Sequence, residues 1–167
     1  MTRQSLRLAA IPASLALIAM VTLGRGYAQE RPSTADTAYQ DIERTLGIVP
    51  GFFRAFPKPA IAGAWAEFKN LQLNPNTRLN GKMKELIGLA VAAQIPCQYC
   101  VYFHTAAAKA NGATDEEIQE TVAMAAIVRH WSTVLNGMQV DSADFKREVD
   151  TVLRIAGEKA KAAAKSQ

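Results

Sequence analysis

The sequence predicts an all-α protein of about six helices. Apolar residues recur every three or four positions through most of the chain, whereas the alternating pattern of strands is weak. Signals for the ends of helices separate these segments. Thr114 and Glu117 form a capping box, Asn80 can cap a helix, and Pro96 can end one.

The N-terminus has the pattern of a secretory signal peptide. Two arginines precede an apolar run from Leu8 to Leu23, and small residues lead to a cleavage point after Ala28. The run is shorter than the ~20 residues of a membrane-spanning helix, and Pro12 interrupts it, so a membrane anchor is the less favoured alternative. We therefore expect residues 1–28 to be removed. The mature protein would be periplasmic or secreted, without stable membrane insertion.

Removal of the signal peptide changes the charge balance of the chain. Arg3, Arg7 and Arg25 leave with it, so Lys plus Arg falls from 19 to 16, against 15 Asp plus Glu. The mature chain is then nearly neutral and has no basic stripe, which argues against a nucleic-acid partner. No Gly-rich phosphate loop or dinucleotide fingerprint is present, so we expect no bound cofactor.

The mature chain begins with a leader and two helices. Residues 29–36 are expected to be flexible, and residues 37–167 to form a single helical domain. The first helix is predicted over Ala35–Leu46, closed by a glycine. The stretch GIVPGFFRAFPKP follows and is expected to be an irregular connection with one helical turn. A second helix is predicted from Pro59 to Leu71, and NPNT at 74–77 breaks it.

Four further helices complete the predicted fold. The third runs to about Gln94, the fourth from Cys97 to Ala110, and the fifth from Thr114 to Leu135. The sixth is indicated by one apolar stripe. This stripe consists of Phe145, Val149, Val152, Leu153 and Ala156. The tail, residues 157–167, lacks large apolar residues and is expected to fray.

Both cysteines of the chain and one of its two histidines lie in PCQYCVYFH, residues 96–104. In a helix, Cys97, Cys100 and His104 fall within an arc of roughly 60°. Cys97 lies in the first turn, where unpaired N–H groups and the helix dipole favour a thiolate. An imidazole one turn after Cys100 can accept its proton. This combination favours a redox-active dithiol.

Other chemistries for the cluster are less favoured. A structural disulfide is common in exported proteins, but closing a four-residue loop stabilises a fold by only ~2 kcal/mol. A metal site could combine the two cysteines with His104 and Glu85, although zinc ligands usually come from separated elements, so we expect no metal. Covalent haem is excluded because Val101, not histidine, follows Cys100.

Glu85 has two possible environments. It shares a helix face with small and apolar residues, so it could be buried, where a carboxylate needs a partner such as a histidine on the next helix. It also lies near a helix start beside Lys82 and Lys84, from where it could reach water. The sequence leaves both interpretations open.

The stretch ELIGLAVAAQIPCQYCVYFH, from Glu85 to His104, resembles the signature of the carboxymuconolactone decarboxylase and alkyl hydroperoxidase D superfamily. Its proteins carry a Glu, a Cys-x-x-Cys pair twelve residues later, and a His four residues after the second Cys. LGIVPGFF and NGATDEEI are also typical, so the resemblance covers most of residues 45–135. It implies an all-helical fold that usually assembles into homo-oligomers, either trimers or hexamers.

The resemblance also implies roles for the four residues. Cys100 would be the nucleophile that attacks a peroxide, and Cys97 the resolving thiol that meets a partner. His104 would be the base, oriented by Glu85. Tyr99 stands between the cysteines, where alkyl hydroperoxidase D has a histidine.

The expected substrate is a small peroxide or a disulfide. The electron donor is an unknown thiol, because the donors of alkyl hydroperoxidase D are cytoplasmic lipoyl proteins that an exported chain would not meet. Two alternatives stay open. One is a decarboxylase-type enzyme that uses Glu85 and His104 without thiol chemistry, although that branch lacks the cysteine pair. The other is a non-enzymatic protein with a structural disulfide or a metal clip.

Overall fold

The computed structural model describes residues 34–165, which contain helices and no strand. The all-α prediction is confirmed. The predicted signal peptide, 1–28, and most of the predicted leader lie outside the described residues. In chain order the elements are α1 (Ala35–Leu46), α2 (Gly51–Ala55), α3 (Ile61–Glu67), a π-helical turn (Phe68–Gln72), α4 (Gly81–Gln94), α5 (Gln98–Ala110), α6 (Asp115–Gly137) and α7 (Ser142–Lys165).

Local capping determines where several helices begin and end. Thr34 caps α1, and Gly47, whose φ of 80° is in the left-handed region, ends it. The side chain of Asn80 accepts a backbone N–H of the first turn of α4. Thr114 and Glu117 form the predicted capping box of α6. The predicted ends of these helices are confirmed. They could be predicted because the residues that determine them are close in sequence.

Some boundaries differ from the prediction. Helix α1 has the predicted bounds, Ala35–Leu46, and therefore includes the last two residues of the segment 29–36 that was expected to be flexible. The second predicted helix changes at Phe68 from α-helical to π-helical geometry. Helix α6 continues through Asn136 to Gly137, and the Asn136 side chain donates to Ser132 O within the helix at 2.7 Å.

Helix α7 is helical as far as Lys165, and this range includes most of the segment predicted to fray. Every residue of α7 is exposed. The fraying of residues 157–167 in solution stays a prediction.

The chain divides into two compact units, the first ending at Glu67 and the second beginning at Phe68. In the described part of the first unit, α1 packs against α3 and buries Ile42 and Trp65. The Trp65 indole donates to Asp41 Oδ2 at 2.7 Å, and Phe53 meets the indole edge-on at 5.5 Å between ring centroids. The prediction of one domain over residues 37–167 stays a prediction.

In the second unit, α4 is the central helix and packs against α5 and α6. The buried residues are mostly small, which allows close helix packing: Leu89 and Ala92 on α4, Ala108 on α5 and Ala125 on α6. Large apolar side chains on α6 and α7 stay exposed, Trp131 and Leu153 among them. No helix within residues 34–165 has the length and apolar character needed to cross a membrane.

An ion pair joins α4 to α6, with Lys82 Nζ 2.7 Å from Glu117 Oε1. The pKa of Glu117 is lowered, mainly by the hydrogen bond that Lys82 donates to its carboxylate. A second hydrogen bond, from the backbone N–H of Thr114, acts in the same direction. A carboxyl group whose pKa is lower in the folded chain stabilises the fold above its unfolded pKa. This contribution disappears as the pH falls through the folded value.

We expect Glu117→Gln to lower the free energy of unfolding slightly at neutral pH and to have no such effect below the lowered pKa of Glu117. Urea denaturation of both proteins at neutral and acidic pH measures the difference. In a Lys82→Met background the loss at neutral pH should be smaller, because the ion-pair partner is gone. An equal loss at both pH values would contradict the assignment.

Candidate functional site

Glu85 is a buried carboxylate on α4, with 4% of its surface exposed. Its Oε2 lies 2.7 Å from Nδ1 of His104, which α5 carries across the helix pair. An ionised carboxylate can only accept hydrogen bonds, so Nδ1–H donates and Nε2 is left as the nitrogen that can accept a proton. Of the two environments that the sequence left open for Glu85, the structure therefore shows the buried one with a histidine partner.

The two neighbouring lysines have other partners. Lys82 pairs with Glu117, and Lys84 Nζ donates to the backbone carbonyls of Leu71 and Asn74 at 2.6 and 2.7 Å. Neither lysine therefore draws Glu85 towards water. Lys84 instead holds the end of the π-helical turn against α4.

Gln72 is a third member of the site, and it was not predicted from the sequence. The last residue of the π-helical turn, it donates its side-chain N–H to both oxygens of Glu85, at 3.2 and 3.4 Å. Single π-helical turns are frequent at functional sites. No pattern in FKNLQ, residues 68–72, marks such a turn, and only the contact with Glu85 identifies Gln72.

Cys97 and Cys100 form a disulfide at the start of α5, with Cα atoms 5.3 Å apart. Cys97 is the residue that caps this helix, and its sulfur accepts the backbone N–H of Cys100 at 3.2 Å. Both residues are half-buried. Tyr99, between the two cysteines, is 80% exposed, and Tyr102, two residues after Cys100, is 79% exposed. The disulfide lies at the first turn, where the N–H groups of a helix favour negative charge on sulfur.

Gly88 allows the His104 imidazole to pack closely against α4. A Cβ atom built at position 88 would overlap three ring atoms of His104. Any larger residue at this position would therefore displace the ring from the Glu85 carboxylate. The pairing of α4 with α5 depends on a missing side chain at this point.

The arrangement can move a proton and can store two electrons. The Glu85–His104 pair supplies an oriented imidazole, and the Cys97–Cys100 pair can alternate between dithiol and disulfide. Within the described part of the chain, no group of three or more His, Cys, Asp or Glu side chains could hold a metal ion. The roles of Glu85, Cys97, Cys100 and His104 in catalysis stay a prediction.

We expect Gly88→Ala to lower the free energy of unfolding by about 1–3 kcal/mol, because displacing His104 leaves the buried carboxylate short of a donor. Thermal or urea denaturation measures this change. Gly63→Ala is the matched control: it is also a helical glycine, nothing lies within 4 Å of the added Cβ, and alanine there should stabilise the chain by up to ~1 kcal/mol. Equal changes in the two variants would contradict the close approach.

Comparisons with known proteins agree with this fold. The sequence profile of the Carboxymuconolactone decarboxylase family matches residues 59–142, half of the chain. The crystal structure of an alkylhydroperoxidase AhpD core from Rhodospirillum rubrum is similar, with a TM-score of 0.56 and 29% sequence identity over 66% of this chain and 85% of that one. A comparison with curated proteins found no match. The chain belongs to the carboxymuconolactone decarboxylase family.

Proposed function

We propose that this protein is a thiol-dependent oxidoreductase that reduces peroxides through Cys97 and Cys100. One observation carries the proposal: the disulfide lies at the start of α5, and one turn later the same helix presents an imidazole bound to a buried carboxylate. Membership of the family and the likeness to an alkylhydroperoxidase core support it.

The first half-reaction consumes the peroxide. The Cys100 thiolate attacks one peroxide oxygen, so that an S–O bond forms and the O–O bond breaks. The departing oxygen takes a proton from the His104 imidazolium and leaves as an alcohol, or as water when the substrate is hydrogen peroxide. Cys100 is thereby oxidised to a sulfenic acid.

The second half-reaction closes the disulfide. The Cys97 thiolate attacks the sulfur of the sulfenic acid, an S–S bond forms, and hydroxide leaves with a proton as water. A partner dithiol then returns two electrons and two protons by thiol–disulfide exchange and becomes a disulfide itself. In the absence of peroxide, the reduced pair can instead pass two electrons and two protons to a disulfide substrate, which becomes a dithiol while Cys97 and Cys100 return to the disulfide.

Glu85 and Gln72 act on this chemistry through the imidazole. The buried carboxylate fixes Nδ1, which leaves Nε2 to exchange protons with the reacting groups. Gln72 donates to both carboxylate oxygens and so fixes the carboxylate in turn. Both are positioning residues, and neither needs to touch the substrate.

The proposed setting is the periplasm or the cell exterior, and the proposed form is a homo-oligomer. The sequence of residues 1–28 supports export. The exposed apolar residues of α6 and α7 support assembly, because soluble monomers rarely expose contiguous apolar surface on this scale. The apolar stripe of α7 includes Val149, Val152 and Leu153, all exposed.

We expect Cys100→Ser to lower peroxide consumption at least about a thousandfold, because the nucleophile is lost. Cys97→Ser should consume about one equivalent of peroxide and then stop as a sulfenic acid. Turnover of the wild type and of Cys100→Ser is measured with the mature, metal-free protein and a dithiol reductant. The single equivalent consumed by Cys97→Ser is measured after the reductant has been removed, and mass spectrometry after dimedone trapping detects the sulfenic acid.

The decarboxylase-type alternative predicts a different set of outcomes. Its activity would survive in the Cys97→Ser/Cys100→Ser double variant and be lost in His104→Gln. His130→Gln changes the other histidine, which is exposed on α6, and is the matched control for His104→Gln. The peroxidase proposal would be contradicted if the wild-type protein consumed no peroxide and its disulfide resisted a mild reductant.

Mass spectrometry of one preparation tests both export and assembly. The protein is expressed with its own N-terminus in a bacterial host and recovered from the periplasm. The denatured mass should correspond to a chain that begins at Gln29, and the native mass to three or six subunits. An uncleaved chain in the membrane fraction would contradict export, and a monomeric native mass would contradict assembly.

A further inference from the structure

A pocket of about 540 Å³ lies beside His104 in the second unit of the chain. His104 and Gly88 form part of its wall, so the pocket reaches the imidazole where α4 carries no side chain. Gln72, the residue that fixes Glu85, also lines it. A cavity of this size is in the range that binds small organic molecules. The pocket is therefore a route by which a substrate could meet the imidazole.

The wall of the pocket is mainly apolar. Leu71, Leu79 and Ile87 line it, and all three are exposed large aliphatic residues. Apolar side chains gathered around a histidine favour an organic substrate over a small polar one such as hydrogen peroxide.

The charge of the pocket is positive. Arg78 and Lys84 line it, and no acidic side chain among the described residues does. Lys84 is held by two backbone carbonyls, whereas Arg78 forms no ion pair or hydrogen bond with any residue in the range 34–165. A guanidinium without a partner beside apolar walls is the natural complement of a carboxylate on an otherwise apolar molecule.

We propose that this pocket binds apolar carboxylates and that, given the peroxidase function proposed above, its substrates are organic hydroperoxides that carry a carboxylate. The carboxylate binds Arg78, the apolar body lies against Leu71, Leu79 and Ile87, and the hydroperoxide is directed towards His104. The reaction is the one described above. The hydroperoxide is reduced to the alcohol, the cysteine pair is oxidised to the disulfide, and one water is released.

The test compares cumene hydroperoxide with its para-carboxylate, which differ in charge and share the same apolar body. We expect kcat/KM of the wild type to be higher for the carboxylate, and the ratio of the two values to fall about tenfold in Arg78→Gln. In Arg78→Glu the ratio should fall below one. Arg147→Gln, which removes an exposed arginine of α7, is the control and should keep the wild-type ratio.

Equal kcat/KM values for the two hydroperoxides in the wild type, or a ratio unchanged in Arg78→Gln, would overturn this inference and leave the peroxidase proposal standing. Absence of turnover with every hydroperoxide would instead remove the peroxidase proposal. The pocket is then tested by calorimetry with 4-isopropylbenzoate and the uncharged 4-isopropylbenzamide. Selective binding of the benzoate that is lost in Arg78→Gln supports the carboxylate site, and equal or absent binding of both overturns it.

Discussion

The second unit of the chain is organised around one buried negative charge. A carboxylate removed from water costs several kcal/mol unless donors replace the lost hydration, so the position of Glu85 determines what must surround it. His104 supplies one donor from α5 and Gln72 another from the π-helical turn. Three segments that are separate in sequence are thereby tied to a single group. The chemistry of the site and the packing of its helices share the same contacts.

The sequence predicted the features that local interactions determine. Asn80 and the Thr114–Glu117 capping box act within one helical turn, so their effect could be foreseen from neighbouring residues. The spacing of Cys97, Cys100 and His104 placed them on one face for the same reason. The family resemblance added the roles of these residues, which spacing does not determine.

The features that remained unpredicted depend on contacts across the fold. Whether Glu85 faced water or a histidine depended on where Lys82 and Lys84 found partners, and those partners lie on α6 and in the turn before α4. Gln72 could not be foreseen, because the π-helical turn that aims it has no signature in its five residues. Lys84 of α4 stabilises that turn, because its Nζ donates to the carbonyl oxygen of Leu71 within the turn and to that of Asn74 just after it.

Gly88 is a position of the site at which every substitution is expected to have an effect. Most functional positions tolerate some replacements, since a residue of similar size or charge can preserve part of the role. Glycine has no smaller relative, and every other amino acid would bring a Cβ atom into the space of the His104 ring. Every change of this codon that alters the residue therefore acts on the imidazole, although glycine itself has no chemistry to lose. A position that must carry no side chain can therefore tolerate substitution as poorly as a catalytic nucleophile does.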